Sequence, residues 1–370
     1  MKIVCSKTEL VKGVNIVQKA VPTRTTMAIL ECILIDASGD EIKLTANDME
    51  IGIETVVNGT IEEPGIIAID AKFLSDIVRK LPDEDVIIST SDNFKTSIVC
   101  EESNLHYDIV GKSGEDFSNI PFISRNEPIE ISQFTLKELI KQTIFSIADN
   151  DSNKMMTGEL FEINDNNLKV VALDGHRLAV RNIELKQSYE SKKVVVPGKT
   201  LNEVSKIIPG FAEDMVNIFI TDNNIIFEFD NTVVVSRLID GEFFKIDQML
   251  STDYKTKVKI NKRTLLNSID RASSMAKEGD KKPIIMDITD NNLNMSITSF
   301  IGTMNENINI TKEGVDMTIG FNPKFFMDAL KVIDDDDINI YMVDPKAPCY
   351  IRDDKESFMY MILPININNK

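Results

Sequence analysis

One short segment of the chain combines residue types that could support catalysis, Asp174-Gly175-His176-Arg177. An aspartate and a histidine this close in sequence could act as a general-base pair or supply two ligands to a metal ion. The sequence contains one further histidine, His106, so no cluster of histidine ligands exists. Neither a serine-centred elbow nor a phosphate-binding glycine loop accompanies the segment. A hydrolase is therefore disfavoured, and the structural alternative is a histidine and an arginine that brace a tight glycine turn.

A second group of residues could bind phosphate, because lysines recur at a regular spacing. Lys72, Lys199 and Lys324 lie 127 and 125 residues apart, each between a turn residue and a helical apolar stripe. The segments that carry them are 69–82, 196–209 and 320–333. A repeat of this length has the size of a domain rather than of a solenoid unit. The sequence therefore predicts one small fold used three times.

Other landmarks keep the same period and define the elements that must position these residues. Turn signals at residues 38–40, 165–167 and 290–292 predict hairpins, since Asp, Asn and Gly tolerate the left-handed backbone of tight turns. A further helical stretch lies near the start of each repeat, at residues 7–19, 135–148 and 261–277. Alternating apolar residues predict strands, for example at 29–35, 160–163 and 168–172. We expect an α+β chain of three tandem domains, at residues 1–125, 126–250 and 251–370.

Composition and cysteine usage indicate the compartment. No apolar run approaches the ~20 residues of a membrane span, and the N-terminus enters an alternating pattern without a signal-peptide core. Cys5, Cys32, Cys100 and Cys349 are widely scattered and form no Cys-x-x-Cys pair. Buried free thiols in a reducing cytosol explain this usage, so we expect a cytoplasmic protein with no membrane partner, metal or cofactor.

The net charge of −18 argues at first against a nucleic-acid partner. The charges are unevenly distributed, however, because the six predicted helical stretches carry 16 basic and 7 acidic residues. Strands and loops therefore hold the acidic excess. Such segregation would create one face that attracts phosphate and another that repels it. The plainer explanation is that helices favour Lys and Arg on any solvated face.

The predicted strand at residues 105–110 closes the first repeat and carries Tyr107 and Ile109 at alternating positions. An exposed apolar edge strand tends to pair with another chain. The sequence alone leaves open whether this edge is exposed or covered.

Three segments carry a resemblance to a known family: Leu173-Asp174-Gly175-His176-Arg177-Leu178-Ala179, Leu238-Ile239-Asp240-Gly241-Glu242-Phe243 and Met359-Tyr360-Met361-Ile362-Leu363-Pro364-Ile365. Together with the threefold repeat and the total length, they resemble the bacterial sliding clamps, the β subunits of DNA polymerase III. The resemblance implies a head-to-tail homodimer closed into a ring of six domains, each with two helices packed on antiparallel sheets. Such a ring would encircle double-stranded DNA without reading its sequence and would tether the replicative polymerase, which confers processivity. It implies no catalytic residue.

The resemblance also implies where DNA is contacted. The family's DNA-contacting loops match Arg24 in the first repeat and Asn150, Lys154 and Met155 in the second. Some members have aromatic residues where this chain has Lys154 and Met155, so the match suits phosphate attraction better than base stacking. Four lysines of the helical stretches complete the predicted DNA-binding set: Lys12, Lys72, Lys199 and Lys262.

A pocket for partner proteins is implied between the second and third repeats. The polymerase, the clamp loader and repair proteins would insert a short Gln-x-x-Leu-Phe-like segment there, so mostly apolar residues are expected. The residues are Leu173, Gly175, His176, Arg177, Leu178, Phe244, Met249, Met361, Ile362, Leu363, Pro364 and Ile365. Phe244 stands where the family commonly has proline, and residues 366–370 extend past the family's usual end.

The seam of the implied homodimer would join Tyr107 and Ile109 of one protomer to Ser274 and Met275 of the other. Opening the ring would require a separate ATP-driven loader, since the chain has no nucleotide-binding loop.

Two alternatives from other functional classes stay open. One is a DNA-modifying enzyme that uses Asp174 and His176, and the other is a peptide-binding scaffold that does not contact DNA.

Overall fold

The computed structural model describes residues 1–118, 120–121, 123, 125, 127–150, 152–275 and 282–367. The chain forms two compact units, Met1–Leu136 with Glu203–Leu238 and Lys137–Asn202 with Ile239–Lys370. The second predicted repeat is thus divided between the units, and the predicted domain boundaries stay a prediction. Some predicted features lie partly outside the described residues: the first linker at residues 124 and 126, the polar loop at Asp151, the helix end at Lys277 and the tail at 368–370.

The described residues include six α-helices, and side-chain caps explain where several of them begin. They are α1 Lys7–Val17, α2 Ala71–Lys80, α3 Gln133–Lys141, α4 Gly198–Ile207, α5 Lys262–Ser273 and α6 Pro323–Val332. Ser6, Asp70, Asn261 and Asn322 each accept a hydrogen bond from a backbone N–H of the following first turn, at 2.9–3.3 Å. Such caps satisfy donors that a helix leaves unpaired at its start.

The strands follow the predicted alternation of apolar residues. In the first repeat they are β1 Lys2–Ser6, β2 Cys32–Asp36, β3 Ile42–Asn47, β4 Ile51–Val57, β5 Thr60–Glu63, β6 Ile66–Asp70, β7 Asp85–Thr90, β8 Lys95–Cys100, β9 Leu105–Val110 and β10 Lys112–Ser113. The second repeat has β11 Ile129–Ser132, β12 Gly158–Leu173, β13 Arg177–Pro197, β14 Met215–Ile220, β15 Asn224–Phe229 and β16 Thr232–Arg237. The third has β17 Thr256–Asn261, β18 Ile284–Thr289, β19 Asn292–Ser299, β20 Gly302–Asn309, β21 Thr311–Gly314, β22 Met317–Phe321, β23 Asp337–Met342, β24 Cys349–Arg352 and β25 Phe358–Ile362.

The first unit contains two antiparallel sheets, in the strand orders β5-β1-β7-β8-β9 and β10-β6-β2-β3-β4-β16-β15-β14-β11. The larger sheet joins the first repeat to the second where β4 pairs with β16. Helix α1 packs against α2 and β4. Its apolar stripe is buried there, with Leu10, Val14 and Val17 at most 1% exposed.

The second unit also contains two sheets, ordered β12-β13-β25-β24-β23-β17-β21 and β20-β19-β18-β22. The larger one joins the second repeat to the third where β13 pairs with β25. Helices α5 and α6 pack together. They bury Leu265, Ile269, Phe326 and Leu330 in a continuous apolar core.

Two predicted hairpins are confirmed, since β2 pairs with β3 around residues 38–40 and β18 pairs with β19 around Asp290. In the second repeat, the two predicted strands at 160–163 and 168–172 both lie within β12. The predicted turn between them coincides with a shift of register against β13, where Asp165 has a φ of 55°.

Two predicted boundaries were wrong for local reasons. Helix α3 ends at Lys141 instead of continuing to residue 148, and the Thr143 hydroxyl donates to the backbone oxygen of Leu139 at 2.8 Å. Such side-chain bonds compete with the helical pattern. The strand expected from residue 29 begins at Cys32, because the Leu30 N–H donates to the Met27 carbonyl at 3.0 Å and closes a turn.

The four cysteines are free and buried, as predicted. Burial raises the pKa of the Cys5 thiol to about 12, so this thiol stays protonated and unreactive at neutral pH. None of the described helices combines the length and the apolar character needed to cross a bilayer.

Candidate functional site

The turn between β12 and β13 is built by hydrogen bonds to one aspartate. Asp174 Oδ1 accepts from the backbone N–H of His176 at 2.9 Å and from that of Arg177 at 3.0 Å. Gly175 has a φ of 82°, a left-handed conformation that glycine adopts without a Cβ clash. This is the braced glycine turn expected as the structural alternative to a catalytic pair.

Arg177 is 7% exposed and ties the turn to helix α6. Its Nε donates to Asp174 Oδ2 at 3.0 Å, and its Nη1 donates to Asp328 Oδ2 at 2.7 Å. The guanidinium lies 4.7 Å from the ring centre of Phe325, and the His176 ring stacks on that ring at 6.0 Å. Both carboxylate oxygens of Asp174 are therefore engaged by the turn, which leaves this group poorly suited to act as a general base.

Strand β25 forms one wall beside this turn. It pairs antiparallel with β13, so that Met361 lies opposite Leu178 and Ile362 lies opposite Arg177. Just beyond the strand, the Leu363 N–H donates to the His176 carbonyl at 2.9 Å. The C-terminal segment and the glycine turn thus belong to one site, a closeness that the sequence did not reveal.

The turn, β25 and the segment that follows Leu238 enclose a cavity of about 480 Å³. Eight of the predicted pocket residues line it: Leu173, Gly175, Arg177, Leu178, Phe244, Met249, Met361 and Leu363. Tyr350 completes a further wall and donates its hydroxyl to the Met249 carbonyl at 2.8 Å. The size and the mostly apolar lining suit the side-chain anchors of a short peptide.

Four predicted pocket residues do not line this cavity. His176 faces Phe325, and Ile362 is 1% exposed within the core of the third repeat. Pro364 follows Leu363 outside the lining, and Ile365 bridges to Gly320 of β22. Their prediction as pocket residues is therefore not supported by the lining of this cavity, although His176 itself is exposed.

Sequence reasoning missed five residues of the lining: Met156, Gln248, Ser251, Pro348 and Tyr350. Gln248 and Ser251 flank the predicted Met249, so their position in the same segment was an available signal. Tyr350 reaches the cavity because β24 pairs with β25, and Pro348 immediately precedes β24. Met156 lies in the short 3-10 helix Lys154–Thr157 before β12. The sequence holds no local signal that brings these three residues together.

The predicted DNA-binding residues differ in how accessible they are. Six of them are exposed: Lys12, Arg24, Lys72, Asn150, Lys154 and Lys199. Met155 is 8% exposed and packs in the apolar cluster around the cavity, so its prediction as a direct DNA contact is not supported by its position. Lys262 is half-buried, and its ammonium donates to the Ile333 carbonyl at 2.6 Å, near the C-terminus of α6. It therefore has an internal role at a helix end.

The predicted seam residues lie on two separate elements. Tyr107 and Ile109 are half-buried on β9, which stands at the edge of its sheet and pairs with β8. Ser274 and Met275 directly follow α5, and Ser274 donates its hydroxyl to the Arg271 carbonyl at 2.7 Å. The sequence left open whether another strand covers the edge formed by residues 105–110. Among the described residues β9 is the last strand of its sheet, so no further strand of the same chain covers that edge.

Known proteins match nearly the whole length of the chain. Family models of the DNA polymerase III beta subunit match in order: the N-terminal domain over residues 1–121, the central domain over 130–245 and the C-terminal domain over 247–366. The beta sliding clamps of Staphylococcus epidermidis and Staphylococcus aureus are 34% and 33% identical to it, over 99% of this chain and 99% of theirs.

Solved structures agree with these matches. The DNA polymerase sliding clamp from Bacillus subtilis superposes with a TM-score of 0.95 at 34% identity and covers 99% of both chains. A crystal structure from Eubacterium rectale, assigned as a DNA polymerase III beta subunit, reaches a TM-score of 0.96 at 68% identity, over 99% of this chain and 100% of that one. The chain therefore belongs to the DNA polymerase III β-subunit family, the β sliding clamps.

Proposed function

We propose that two protomers of this clamp close head to tail around duplex DNA and that the cavity beside the glycine turn holds the clamp's protein partners. A member of this family is a processivity subunit and not an enzyme. It acts by keeping a polymerase at the template, so it changes the local concentration of the polymerase and not the chemistry of synthesis.

The observation that carries the proposal is the cavity itself, with apolar walls and a few polar groups at its edge. Leu173, Leu178 and Leu363 supply apolar surface for the Leu and Phe anchors of a Gln-x-x-Leu-Phe-like segment. Gln248 and Ser251 add hydrogen-bonding groups that could orient a glutamine side chain. Polymerase, clamp loader and repair proteins would share this one site.

A labelled Gln-Leu-Asp-Leu-Phe peptide should bind the chain saturably in a fluorescence-anisotropy titration. Replacing Leu363 with glutamate should weaken binding at least ~30-fold, because a charge would replace an apolar wall at a central anchor position. Ile367→Glu, in the same C-terminal segment but outside the lining, is the matched control and should bind normally. Equal affinity for all three proteins would place the site elsewhere.

The exposed helix lysines support the DNA part of the proposal. Lys12, Lys72 and Lys199 lie on α1, α2 and α4, and each is exposed. Contacts between lysines and phosphates carry no base readout, so they allow a clamp to move along the duplex. Arg24, Asn150 and Lys154 extend the proposed contact to exposed loops.

Changing Lys12, Lys72 and Lys199 together to glutamine should shorten polymerase extension products on primed DNA. The dependence of log affinity on log salt should also become shallower, by about 0.9 for each phosphate that the variant no longer neutralises. A control variant with Lys186, Lys346 and Lys355 changed to glutamine removes the same charge from exposed residues outside the helices. Unchanged processivity with an intact dimer would instead identify a peptide-binding scaffold that does not contact DNA.

The proposed seam brings Tyr107 and Ile109 of one protomer to Ser274 and Met275 of the other. Half-buried apolar groups on an edge strand give such a seam stability, while its limited size would allow opening by a separate loader. A cytoplasmic location agrees with four free buried thiols and stays a prediction.

A further inference from the structure

Three of the residues that line the cavity are methionines, and they come from separate parts of the second unit. Met156 lies in the short 3-10 helix before β12, Met249 follows the helical turn Ile246–Gln248, and Met361 lies on β25. Unbranched thioether side chains adapt to apolar groups of different shape, which suits a site that several partners would share. The thioether sulfur can also be oxidised to a sulfoxide, which is polar. The wall of the cavity thus carries groups whose polarity a chemical reaction can change.

These methionines differ in how accessible they are. Met249 is 41% exposed, Met361 is 8% exposed, and Met156 is half-buried. A side chain that lines the cavity and also reaches solvent to the extent of Met249 lies at the mouth of the cavity. An oxidant in solution therefore meets the Met249 side chain before it meets that of Met361.

The backbone of Met249 is fixed on both sides. Its N–H donates to the Ile246 carbonyl at 2.8 Å, and its carbonyl accepts from the Tyr350 hydroxyl at 2.8 Å. Tyr350 is buried and belongs to the apolar cluster around the cavity. Because both backbone polar groups of Met249 are engaged, its thioether side chain is the part that is free to react at the mouth.

The cysteine thiols do not compete with this side chain for an oxidant. All four are buried, and burial raises the pKa of each thiol above its usual value. Oxidation of cysteine follows the exposure and the thiolate character of the sulfur, and both are low here. The most exposed methionines of the described residues are Met27, Met49 and Met249, of which Met249 lines the cavity.

We propose that Met249 is a reversible oxidation site through which peroxide weakens partner binding. The Met249 sulfur attacks one peroxide oxygen with a lone pair, so an S–O bond forms while the O–O bond breaks. The proton of the transferred oxygen goes to the departing hydroxide, and the peroxide is thereby reduced to water. A methionine sulfoxide reductase reverses the oxidation with electrons from a dithiol. This rests on the peptide-binding role proposed above and adds a means of regulating it.

Oxidation should disfavour the complex more than the free chain. At the mouth, the sulfoxide oxygen can turn to solvent while no partner is bound. A Leu or Phe anchor that covers Met249 would remove this oxygen from water, and the apolar walls formed by Phe244 and Leu363 offer it no donor. Gln248 and Ser251 would be engaged by the glutamine of the peptide. Burying a polar group without a partner is unfavourable, so affinity should fall about tenfold while the thermal stability of the free chain stays the same.

Peroxide treatment followed by a peptide titration tests the proposal. The natural chain is oxidised with hydrogen peroxide, quenched with catalase and titrated with labelled Gln-Leu-Asp-Leu-Phe, which contains no sulfur. Mass spectrometry of the tryptic fragment 246–255, whose one methionine is Met249, measures conversion to the sulfoxide. Oxidation should weaken binding about tenfold, and the reductases for both sulfoxide epimers should restore it.

Leucine variants separate Met249 from the other exposed methionines. Met249→Leu keeps an apolar side chain that peroxide does not oxidise, so its affinity after treatment should equal its own affinity before treatment. Met27→Leu is the matched control, because Met27 is 45% exposed and lies outside the cavity lining. This variant should lose affinity on oxidation as the natural chain does. Comparing each protein with itself removes any effect of leucine on binding.

A bound peptide should also protect the site from oxidation. Saturating peptide should slow the oxidation of Met249, because an anchor that covers the side chain excludes the oxidant. Oxidation of Met27 and Met49 should keep its rate, since both side chains are exposed outside the cavity lining. Equal rates for Met249 with and without peptide would overturn the contact between the anchor and this side chain.

The outcomes separate the oxidation site from the function on which it rests. Equal losses of affinity in the natural chain and in Met249→Leu overturn the oxidation site and leave the peptide site standing. Unchanged affinity of a natural chain whose Met249 is fully oxidised does the same, as does resistance of Met249 to peroxide that oxidises Met27 and Met49. Failure of the untreated chain to bind the peptide overturns the peptide site and its regulation together.

Discussion

Replacing Arg177 with alanine is expected to destabilise the second unit by about 3–5 kcal/mol. The side chains of Arg177, Asp174 and Asp328 are 8%, 14% and 21% exposed, so the three charges are largely removed from solvent. Alanine would leave both carboxylates without their counter-charge, and it would also remove the packing against the Phe325 ring. Removing one partner of a buried ion pair destabilises a protein more than replacing all of its charged residues, because the charges that remain stay buried without a partner.

Urea denaturation would measure the decrease in the free energy of unfolding. Amide hydrogen exchange of β13 would show whether the strand that carries Arg177 opens more readily. Lys193→Ala is the matched control, since Lys193 pairs with Glu162 on the same sheet at 3.4 Å but is 52% exposed. This exposed pair should contribute less than ~1 kcal/mol. Because Arg177 lines the cavity, its variant should also bind the peptide more weakly. Similar denaturation midpoints for the two variants would show that the clamp of Asp174, Arg177 and Asp328 adds little stability.

The stability of the folded chain is also expected to depend strongly on pH, because of Glu159 on β12. This residue is 0% exposed, neither of its carboxyl oxygens has a hydrogen-bond partner among the described residues, and burial raises the pKa of the carboxyl to about 8. The unfolded chain loses this proton near pH 4.5, whereas the folded chain keeps it until about pH 8. Between these values the folded state binds more protons, so its stability falls as pH rises. The contribution is fully present below pH 4.5 and is lost by about pH 8.

Glu159→Gln isolates this contribution, because glutamine keeps the shape of the protonated acid and cannot ionise. As pH rises from 5 to 8, the free energy of unfolding of the natural chain should fall by about 3–4 kcal/mol relative to that of the variant. Thermal unfolding of both proteins across this range measures the difference, and glutamine in place of the exposed Glu102 is the control. Parallel stability curves for the natural chain and the Glu159 variant would contradict a buried, protonated Glu159.

The repeat and most of its elements could be predicted because their signals are local. Apolar residues at helical spacing predicted α1 and α2, and the turn residues before Lys72 and Lys324 proved to be helix caps. Local signals failed where a side chain competes with the backbone, as Thr143 does after α3. The register shift in the middle of β12 was also missed, because only its long-range pairing with β13 defines it.

The sequence by itself determined the three repeats, the helices with their basic residues, two of the three predicted hairpins and the segment that forms the glycine turn. Tertiary structure alone decided that Ile362 lies opposite Arg177, that Tyr350 walls the cavity, and that Lys262 turns its ammonium to a helix end. The physical reason is that backbone pairing between distant strands uses groups common to all residues. Such pairing leaves no residue-specific signal in the sequence, although it decides which side chains meet.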